Sequence, residues 1–253
     1  AHLPEQVAGV TVNRLCASSL QSIMDASRAI KLDEGSLYLA GGVESMSRAP
    51  FVVGKADRAF DRKLEMEDTT IGWRFINPEL AKRYYPYSMG GTDENVAEHY
   101  QISREEQDAF AHDTQQKYQN AHEQGRFQDE LIPVTIPQRK GEPLVVDTDE
   151  HPRLSSPEKL ASLPPAFKEG GSVTAGNAAG VNDGAAITIA ASEELVNEYS
   201  LNPMARVVSM AVAGVEPAYM GLGPIPATQK ALRRAGLSLS DVDLIELNEA
   251  FAA

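Results

Sequence analysis

The chain has 253 residues, 42% of them hydrophobic and 23% charged, which is the composition of one or two globular domains. Its formal net charge of −13 disfavours nucleic acid as a partner, because an acidic surface repels the phosphate backbone. No stretch reaches the roughly 20 apolar residues that cross a bilayer, so we predict no membrane span. The single cysteine, Cys16, cannot form an internal disulfide, which favours a reducing compartment such as the cytoplasm.

The first fifty residues are typical of an α/β unit. Apolar residues recur at helical spacing over 17–32, and Gly35 follows as a helix stop. The apolar run 36–40 then predicts a short strand that ends at Gly41 and Gly42. Because a helix precedes this strand and no hairpin turn is present, the pattern predicts a parallel sheet covered by helices.

Residues 51–165 differ in composition from the first fifty, because they are rich in charged residues, aromatic residues and proline. Ser103 and Glu106 form a capping-box pattern, which predicts the start of a helix that Gly125 ends. The stretch 133–165 holds seven prolines but keeps its hydrophobic residues, so we predict a folded excursion rather than disorder. An excursion of this length is usually functional.

The α/β pattern returns after residue 172. Glycines punctuate a small-residue loop at 174–180. Further along, the sequence predicts a buried strand at 185–190, a second strand at 205–214, a helix at 224–235 and a third strand at 241–247. Because a buried strand and a turn make an unnatural domain end, we expect the chain to be a piece of a longer product.

Cys16 lies among small polar residues just where the first helix is predicted to begin. The partial positive charge of a helix N-terminus lowers the pKa of a thiol, so such a position suits a nucleophile. A cysteine that simply fills the core explains the same sequence, and position alone does not separate the two interpretations.

Two further segments follow predicted strands and could face a ligand. Asn248 stands at the end of the strand 241–247, where it could donate to an oxyanion or hold a water, or could instead cap a following helix. The loop 174–180 would let backbone approach a ligand closely, although tight packing explains its glycines equally well. None of the five histidines has metal-ligand spacing, so we predict no metal site.

Four blocks, in their order and spacing, resemble the thiolases across essentially the whole chain. The blocks are VNRLCASSLQ (12–21), AGGVESMSRAPF (40–51), TAGNAAGVNDGAA (174–186) and GLGPIPATQKAL with LNEAFA (221–252). The resemblance implies a layered αβαβα fold of the α/β class, incomplete at both ends, with an inserted loop domain. It assigns 1–50 and 166–200 to a partial N-terminal half, 51–165 to the loop domain and 201–253 to the start of a C-terminal half.

The same resemblance implies roles for individual residues. Cys16 would be the catalytic nucleophile that carries the acyl group, and Asn248 would position a water or the thioester oxygen. Met89 would line the acyl pocket. The glycine-rich block would lie against the pantetheine arm of CoA, and its residues are Gly176, Asn177, Ala179 and Gly180. Ala179 stands where many thiolases have serine. Coenzyme A would be a co-substrate, with no permanently bound cofactor.

The implied reaction is thiolytic cleavage of a 3-ketoacyl-CoA to acetyl-CoA and a shortened acyl-CoA. The segment 68–78 (DTTIGWRFINP) resembles a loop of 3-oxoadipyl-CoA thiolases, and its Arg74 could pair with the distal carboxylate of such a substrate, or could be a surface residue. Thiolases are homodimers or homotetramers, so the resemblance also implies self-association.

Two elements of the family pattern are not found in this sequence. They are the histidine of a Gly-His-Pro motif, which activates the nucleophile, and a second cysteine, which acts as acid and base. We therefore expect the activity of this chain to be impaired. The alternative is a non-catalytic, thiolase-like protein that binds CoA or acyl groups, or an inactive fragment. A ketoacyl synthase is a third candidate, which the contexts of Cys16 and Asn248 disfavour.

Overall fold

A computed structural model describes residues 2–253. The elements of this part of the chain are, in order, α1 (Ser18–Lys31), β1 (Leu37–Glu44), β2 (Phe51–Val53), β3 (Met66–Asp68), α2 (Pro78–Arg83), α3 (Met89–Tyr100), α4 (Arg104–Glu123), β4 (Val134–Ile136), β5 (Leu144–Val146), α5 (Pro157–Ala161), β6 (Gly184–Ala191), α6 (Glu193–Glu198) and α7 (Pro224–Ala235). Short 3-10 turns occur at Met46–Arg48, Pro217–Leu222 and Leu239–Asp241.

The chain forms two compact units. Unit 1 comprises the described residues up to Phe51, with Val181–Ala213 and Ile225–Asp243. Unit 2 comprises Val52–Gly180, Gly214–Pro224 and Leu244–Ala253. The three domains drawn from the sequence, with their four ranges, stay a prediction.

Unit 1 is built on the pair β1–β6, with α1 packed against both strands. The pair is antiparallel, from Leu37 opposite Ala191 to Glu44 opposite Gly184, so the predicted parallel arrangement is wrong for these strands. Strands are expected to be parallel when a single crossover helix joins them. Here a long excursion separates β1 from β6, so β6 can enter the sheet in either direction.

β1 continues through the two glycines that were predicted to end it. A Cβ on Gly41 would overlap the backbone of Ala186 across the sheet, so glycine is required by close strand approach rather than by a stop. β6 forms where a strand was predicted, but Ile187 and Ile189 are 68% and 67% exposed, so the prediction that it is buried is wrong. Its sheet has two strands, which leaves much of the apolar surface uncovered.

Asp183, just before β6, ties the segment after β1 to the sheet. It accepts the hydroxyl and the backbone N–H of Ser47 at 2.6 and 2.9 Å, and the hydroxyl of Ser45 at 3.3 Å. These hydrogen bonds, those of Ser47 first, lower the pKa of Asp183 because they stabilise its charged form. The end of β1 and the start of β6 are thus fastened together.

The predicted strand 205–214 is irregular backbone that runs beside α7. The Ser209 hydroxyl donates to the carbonyl of Ala231 at 2.8 Å, and Arg234 on α7 donates to the carbonyl of Met210 at 2.7 Å. The strand prediction is wrong because a strand needs a partner, and the described residues of this segment pair with side chains and backbone of α7 instead.

The predicted strand 241–247 is also wrong. Ser238 and Asp241 close a 3-10 turn with a capping box, and the residues that follow are irregular and largely exposed. The three main helices predicted from the sequence are confirmed, namely α1, α4 and α7.

Unit 2 is centred on α3 and α4. α3 packs against the turn Pro217–Leu222, where Asn95 donates to the carbonyl of Ala218 at 3.0 Å. The predicted capping box of Ser103 and Glu106 starts α4. The buried residues of this unit are Gly90, Thr92, Asp93, Glu94, Val96, Ala97, Gln107, Asp108, Leu160, Val173, Thr174 and Asn177. More than half of them are polar, and several of them hold the glycine-rich loop.

Candidate active site

Cys16 is exposed and lies two residues before the first residue of α1. A tight turn presents it there: the N–H of Ala17 bonds to the carbonyl of Arg14 at 3.1 Å, and that of Ser18 to the carbonyl of Leu15 at 3.0 Å. Leu15 has φ +49°, a left-handed conformation that is costly for a leucine. Such strain persists only where the surroundings impose it, and it clusters at functional positions.

Two side chains hold this turn in place. The Ser18 hydroxyl donates to the carbonyl of Leu15 at 2.7 Å and accepts the N–H of Arg14 at 2.9 Å. The side-chain oxygen of Asn13 accepts the N–H of Leu15 at 2.8 Å. Sequence reasoning missed both residues, although an asparagine or a serine near a turn is a recognisable signal for such bonds. The thiol is therefore displayed from a braced turn at a helix N-terminus.

The glycine-rich loop of unit 2 is organised by Asn177, which is 4% exposed. Its amide nitrogen donates to Asp108 and to the carbonyl of Ser172, both at 3.0 Å, and its amide oxygen accepts the N–H of Thr174 at 2.7 Å. This side chain is fully occupied inside the protein. Of the other loop residues predicted to contact CoA, Ala179 and Gly180 are exposed and Gly176 is half-buried.

The loop pairs with the segment that carries Asn248. The N–H of Ala179 donates to the carbonyl of Ala250 at 2.8 Å, and the N–H of Ala252 donates to the carbonyl of Asn177 at 3.0 Å. These two bonds flank an antiparallel bridge between Ala178 and Phe251. Asn248, which is exposed, therefore lies close to the predicted CoA-contacting loop.

Met89 is the first residue of α3 and is 43% exposed. Ser88 caps this helix by accepting the N–H of Gly91 at 3.2 Å. The Cα of Gly90 lies so close to the ring of Phe167 that a Cβ would overlap it. The Phe167 ring in turn meets the Phe251 ring edge-on, with centroids 6.1 Å apart. Aromatic contacts thus connect the start of α3 to the Asn248 segment.

The loop that contains Arg74 is anchored beside the same helix end. The indole N–H of Trp73 donates to the carbonyl of Tyr87 at 2.9 Å, two residues before Met89. Arg74 is exposed and donates to the carbonyl of Gly72 at 2.7 Å. Among residues 2–253 it has no carboxylate within ion-pair distance. Its cationic head is therefore available to a ligand.

Met89, the 176–180 loop and Asn248 all belong to unit 2, whereas Cys16 belongs to unit 1. Within the described part of the chain, no group of three or more His, Cys, Asp or Glu residues could hold a metal ion. No helix of residues 2–253 is both long and apolar enough to cross a membrane.

Comparison with models of known protein families shows to which family the chain belongs. A family model for the N-terminal domain of thiolases matches residues 1–194, and one for the C-terminal domain matches residues 201–253. This chain belongs to the thiolase family. The resemblance read from the four sequence blocks is confirmed.

Individual thiolases are similar over the whole chain. The beta-ketoadipyl-CoA thiolase of Acinetobacter baylyi is 55% identical over 254 aligned positions. The 3-oxoadipyl-CoA/3-oxo-5,6-dehydrosuberyl-CoA thiolase of Escherichia coli is 54% identical. In both cases the alignment covers 100% of this chain but 63% of the relative, so the chain spans less than two thirds of the length of these proteins.

Solved thiolase structures have the same fold. Human mitochondrial 3-ketoacyl-CoA thiolase matches with a TM-score of 0.88 and 40% identity, over 99% of this chain and 62% of the human one. The same human enzyme in complex with CoA matches with a TM-score of 0.86 and 40% identity, over 99% and 61% of the two chains. The predicted fold class, the α/β thiolase fold, is confirmed over the residues that match these structures. The roles of the individual site residues stay predictions.

Proposed function

We propose that the protein cleaves a 3-ketoacyl-CoA by thiolysis, through a thioester on Cys16. The observation that carries this proposal is the exposed thiol in a strained, braced turn at the start of α1, in a chain of the thiolase family. The Cys16 sulfur attacks the 3-keto carbon, the adjacent carbon–carbon bond breaks, and acetyl-CoA leaves after taking a proton. The thiol of a second CoA then attacks the thioester, takes the acyl group and returns a proton to Cys16.

The paired segments of unit 2 supply the binding surface in this proposal. The exposed backbone of Ala179 and Gly180 lies against the pantetheine arm, while the exposed amide of Asn248 holds a water or the thioester oxygen. Asn177 is buried and hydrogen-bonded through both ends of its amide, so its part is to shape the loop. Met89 lines the acyl pocket from the start of α3.

The substrate class that we propose is a 3-ketoacyl-CoA with a carboxylate at the far end of the acyl chain. Two relatives more than half identical to this chain are named for 3-oxoadipyl or beta-ketoadipyl groups, which derive from a dicarboxylic acid. Arg74, anchored through Trp73 beside the start of α3, offers a guanidinium without an ion-pair partner among the described residues. A guanidinium binds a carboxylate through two parallel hydrogen bonds.

The remaining parts of the proposal follow from the family and, for compartment, nucleic acid and membrane, from the composition of the chain. CoA acts as a co-substrate, as the human complex with CoA suggests, and no cofactor is permanently bound. The protein is a homodimer or homotetramer in the cytoplasm and uses neither nucleic acid nor a membrane as a partner. A non-catalytic, thiolase-like protein that binds CoA or acyl groups is the alternative.

The substrate class is tested by comparing 3-oxoadipyl-CoA, whose acyl chain ends in a carboxylate, with acetoacetyl-CoA, whose acyl chain has no carboxylate. Acetyl-CoA release is followed by chromatography for the unmodified chain, Arg74→Ala and Arg83→Ala, the last an exposed arginine on α2. We expect Arg74→Ala to lower the rate with 3-oxoadipyl-CoA at least about tenfold, the value of one charge-assisted pair, and to leave acetoacetyl-CoA unchanged. An equal loss with both substrates would refute the role of Arg74.

A further inference from the structure

We infer that Asp108, on α4, is a positioning residue for the candidate active site. It acts through Asn177, which holds the 174–180 loop and, with that loop, the segment that carries Asn248. The inference rests on the proposed function, because it is that proposal which gives the loop and Asn248 their roles toward CoA and the thioester.

Asp108 is itself held rigidly. It is 7% exposed, and each of its carboxylate oxygens has a partner: one accepts the Nδ2 of Asn177 at 3.0 Å, the other the Nε of Arg104 at 2.8 Å. Arg104 also donates from Nη2 to the carbonyls of Leu160 and Leu163, at 2.6 and 3.1 Å. The carboxylate is thereby fixed between α4 and the end of α5.

The charge of Asp108 selects one orientation of the Asn177 amide. With nitrogen toward Asp108, the amide donates to that carboxylate and to the carbonyl of Ser172, while its oxygen accepts the N–H of Thr174. A rotated amide would point its oxygen at the carboxylate and at a carbonyl, and its nitrogen at an N–H. All three bonds would be lost inside the protein, where unpaired polar groups are costly.

The position of Asn177 is passed directly to the Asn248 segment. The carbonyl of Asn177 accepts the N–H of Ala252, and the N–H of Ala179, two residues on, donates to the carbonyl of Ala250. The antiparallel bridge between Ala178 and Phe251 lies between these bonds. A rearrangement of Asn177 must therefore move the residues that follow Asn248, or break their pairing.

Two further buried side chains, Gln107 on α4 and Glu94 on α3, hold residues 172 and 173, which precede the 174–180 loop. Gln107 is 0% exposed and donates to the Ser172 hydroxyl at 2.9 Å. The carboxylate of Glu94, 4% exposed, accepts the N–H of Ser172 and that of Val173 at 2.9–3.0 Å. Gln107, Glu94 and Asn177 each hydrogen-bond to residues 172–174, although the Oε1 of Gln107 has no hydrogen-bond partner among residues 2–253. Buried polar side chains are costly unless they are hydrogen-bonded, so these bonds help to specify the position of this stretch.

The test uses the full chain with Asp108→Asn, Asn177→Asp and the double variant that carries both. Asp113→Asn is the matched control, because Asp113 is on the same helix but is exposed and paired with Lys117. Val96→Ala controls for a general loss of stability, since Val96 is a core residue of α3. Two readouts are taken well below the unfolding temperature: hydrogen exchange of the Ala179 and Ala252 amides, and the Kd for CoA.

We expect Asp108→Asn to speed exchange of both amides about tenfold or more and to raise the Kd for CoA by a similar factor. Asn177→Asp sets two buried carboxylates against each other and should have a larger effect, which the double variant partly reverses because an amide again faces a carboxylate. Asp113→Asn and Val96→Ala should change neither readout.

Unchanged exchange in Asp108→Asn, or an equal effect of Val96→Ala, would overturn the inference. Faster exchange with an unchanged Kd, in a protein that binds CoA, would overturn the functional part of it. If the unmodified chain does not bind CoA, the proposed role of the loop fails instead, and the exchange measurements still decide whether Asp108 positions the Asn248 segment.

Discussion

Replacing Asp93 with asparagine isolates the cost of burying its charge. Asp93, on α3, is 8% exposed, and its Oδ2 has no hydrogen-bond partner among the described residues. Burial, and then the neighbouring Glu94 carboxylate, raise its pKa from the ordinary 3.8 to about 6. Each unit of pKa difference corresponds to about 1.4 kcal/mol, so at pH 8 the ionised side chain costs the folded state about 3 kcal/mol.

The direction of the pH dependence follows from the raised pKa. Well below pH 3.8 the carboxyl group is protonated in both the folded and the unfolded chain and carries no pH-dependent cost. As the pH rises from there through about 6, the unfolded chain loses the proton first, so the free energy of unfolding falls, and above that pH the loss is constant. An asparagine side chain has no proton to lose in this range, so the Asp93→Asn variant should gain stability across this window relative to the unmodified chain.

The assay is urea unfolding of the unmodified chain and Asp93→Asn at pH 4 and pH 8, followed by circular dichroism. We expect Asp93→Asn to be more stable by about 2–3 kcal/mol at pH 8 and by roughly a few tenths of a kcal/mol at pH 4. Asp113→Asn, which removes the same charge from an exposed position on α4, should show no such pH-dependent gain. A gain of equal size at both pH values, or none at pH 8, would refute the reasoning.

Two further predictions concern packing and the cysteine turn. Gly90→Ala should lower the unfolding free energy by about 1–3 kcal/mol because the new Cβ would overlap the ring of Phe167. Gly91→Ala, whose new Cβ would have its nearest contacts at 3.4 Å, should be neutral or stabilising. Thermal unfolding compares the two variants, and similar losses of stability in both would contradict the predicted overlap with Phe167. Ser18→Ala should lower the unfolding free energy, measured with urea, by about 1–2 kcal/mol because two hydrogen bonds of the turn are lost. Ser22→Ala, which loses one hydrogen bond on the same helix, should lower it by less. The reverse order would rule out the role of Ser18 in bracing the turn.

Local chemistry made α1, α4 and α7 predictable, whereas α3, which is as long as α7, was not predicted. The capping box of Ser103 and Glu106 marks the start of α4, and Gly125, with φ +69°, lies just past its end. The sequence therefore contains the signals for these elements within a few residues. The same holds for the small-residue loop at 174–180, where a Cβ on Gly176 would overlap the side chains of Leu160 and Leu163.

Pairing over long distances was not predictable in the same way. The direction of β6 relative to β1 and the absence of a strand partner for 205–214 among the described residues depend on parts of the chain far from each segment. The hydrogen bond from Asn177 to Asp108 joins residues 69 positions apart, and the sequence around neither residue predicts it. The left-handed Leu15 has no glycine or asparagine at its own position to signal it. The family resemblance singled out Cys16 and Asn248, but not the residues that hold them.

The most direct test of the proposed chemistry is the intact mass of the chain after mixing with acetyl-CoA or 3-oxoadipyl-CoA, beside a Cys16→Ser control. We predict a mass gain of one acyl group that is absent from the control and is discharged by added CoA. No adduct on a sample whose folding is confirmed by circular dichroism, or an adduct that survives in Cys16→Ser, would contradict the thioester and favour the non-catalytic alternative.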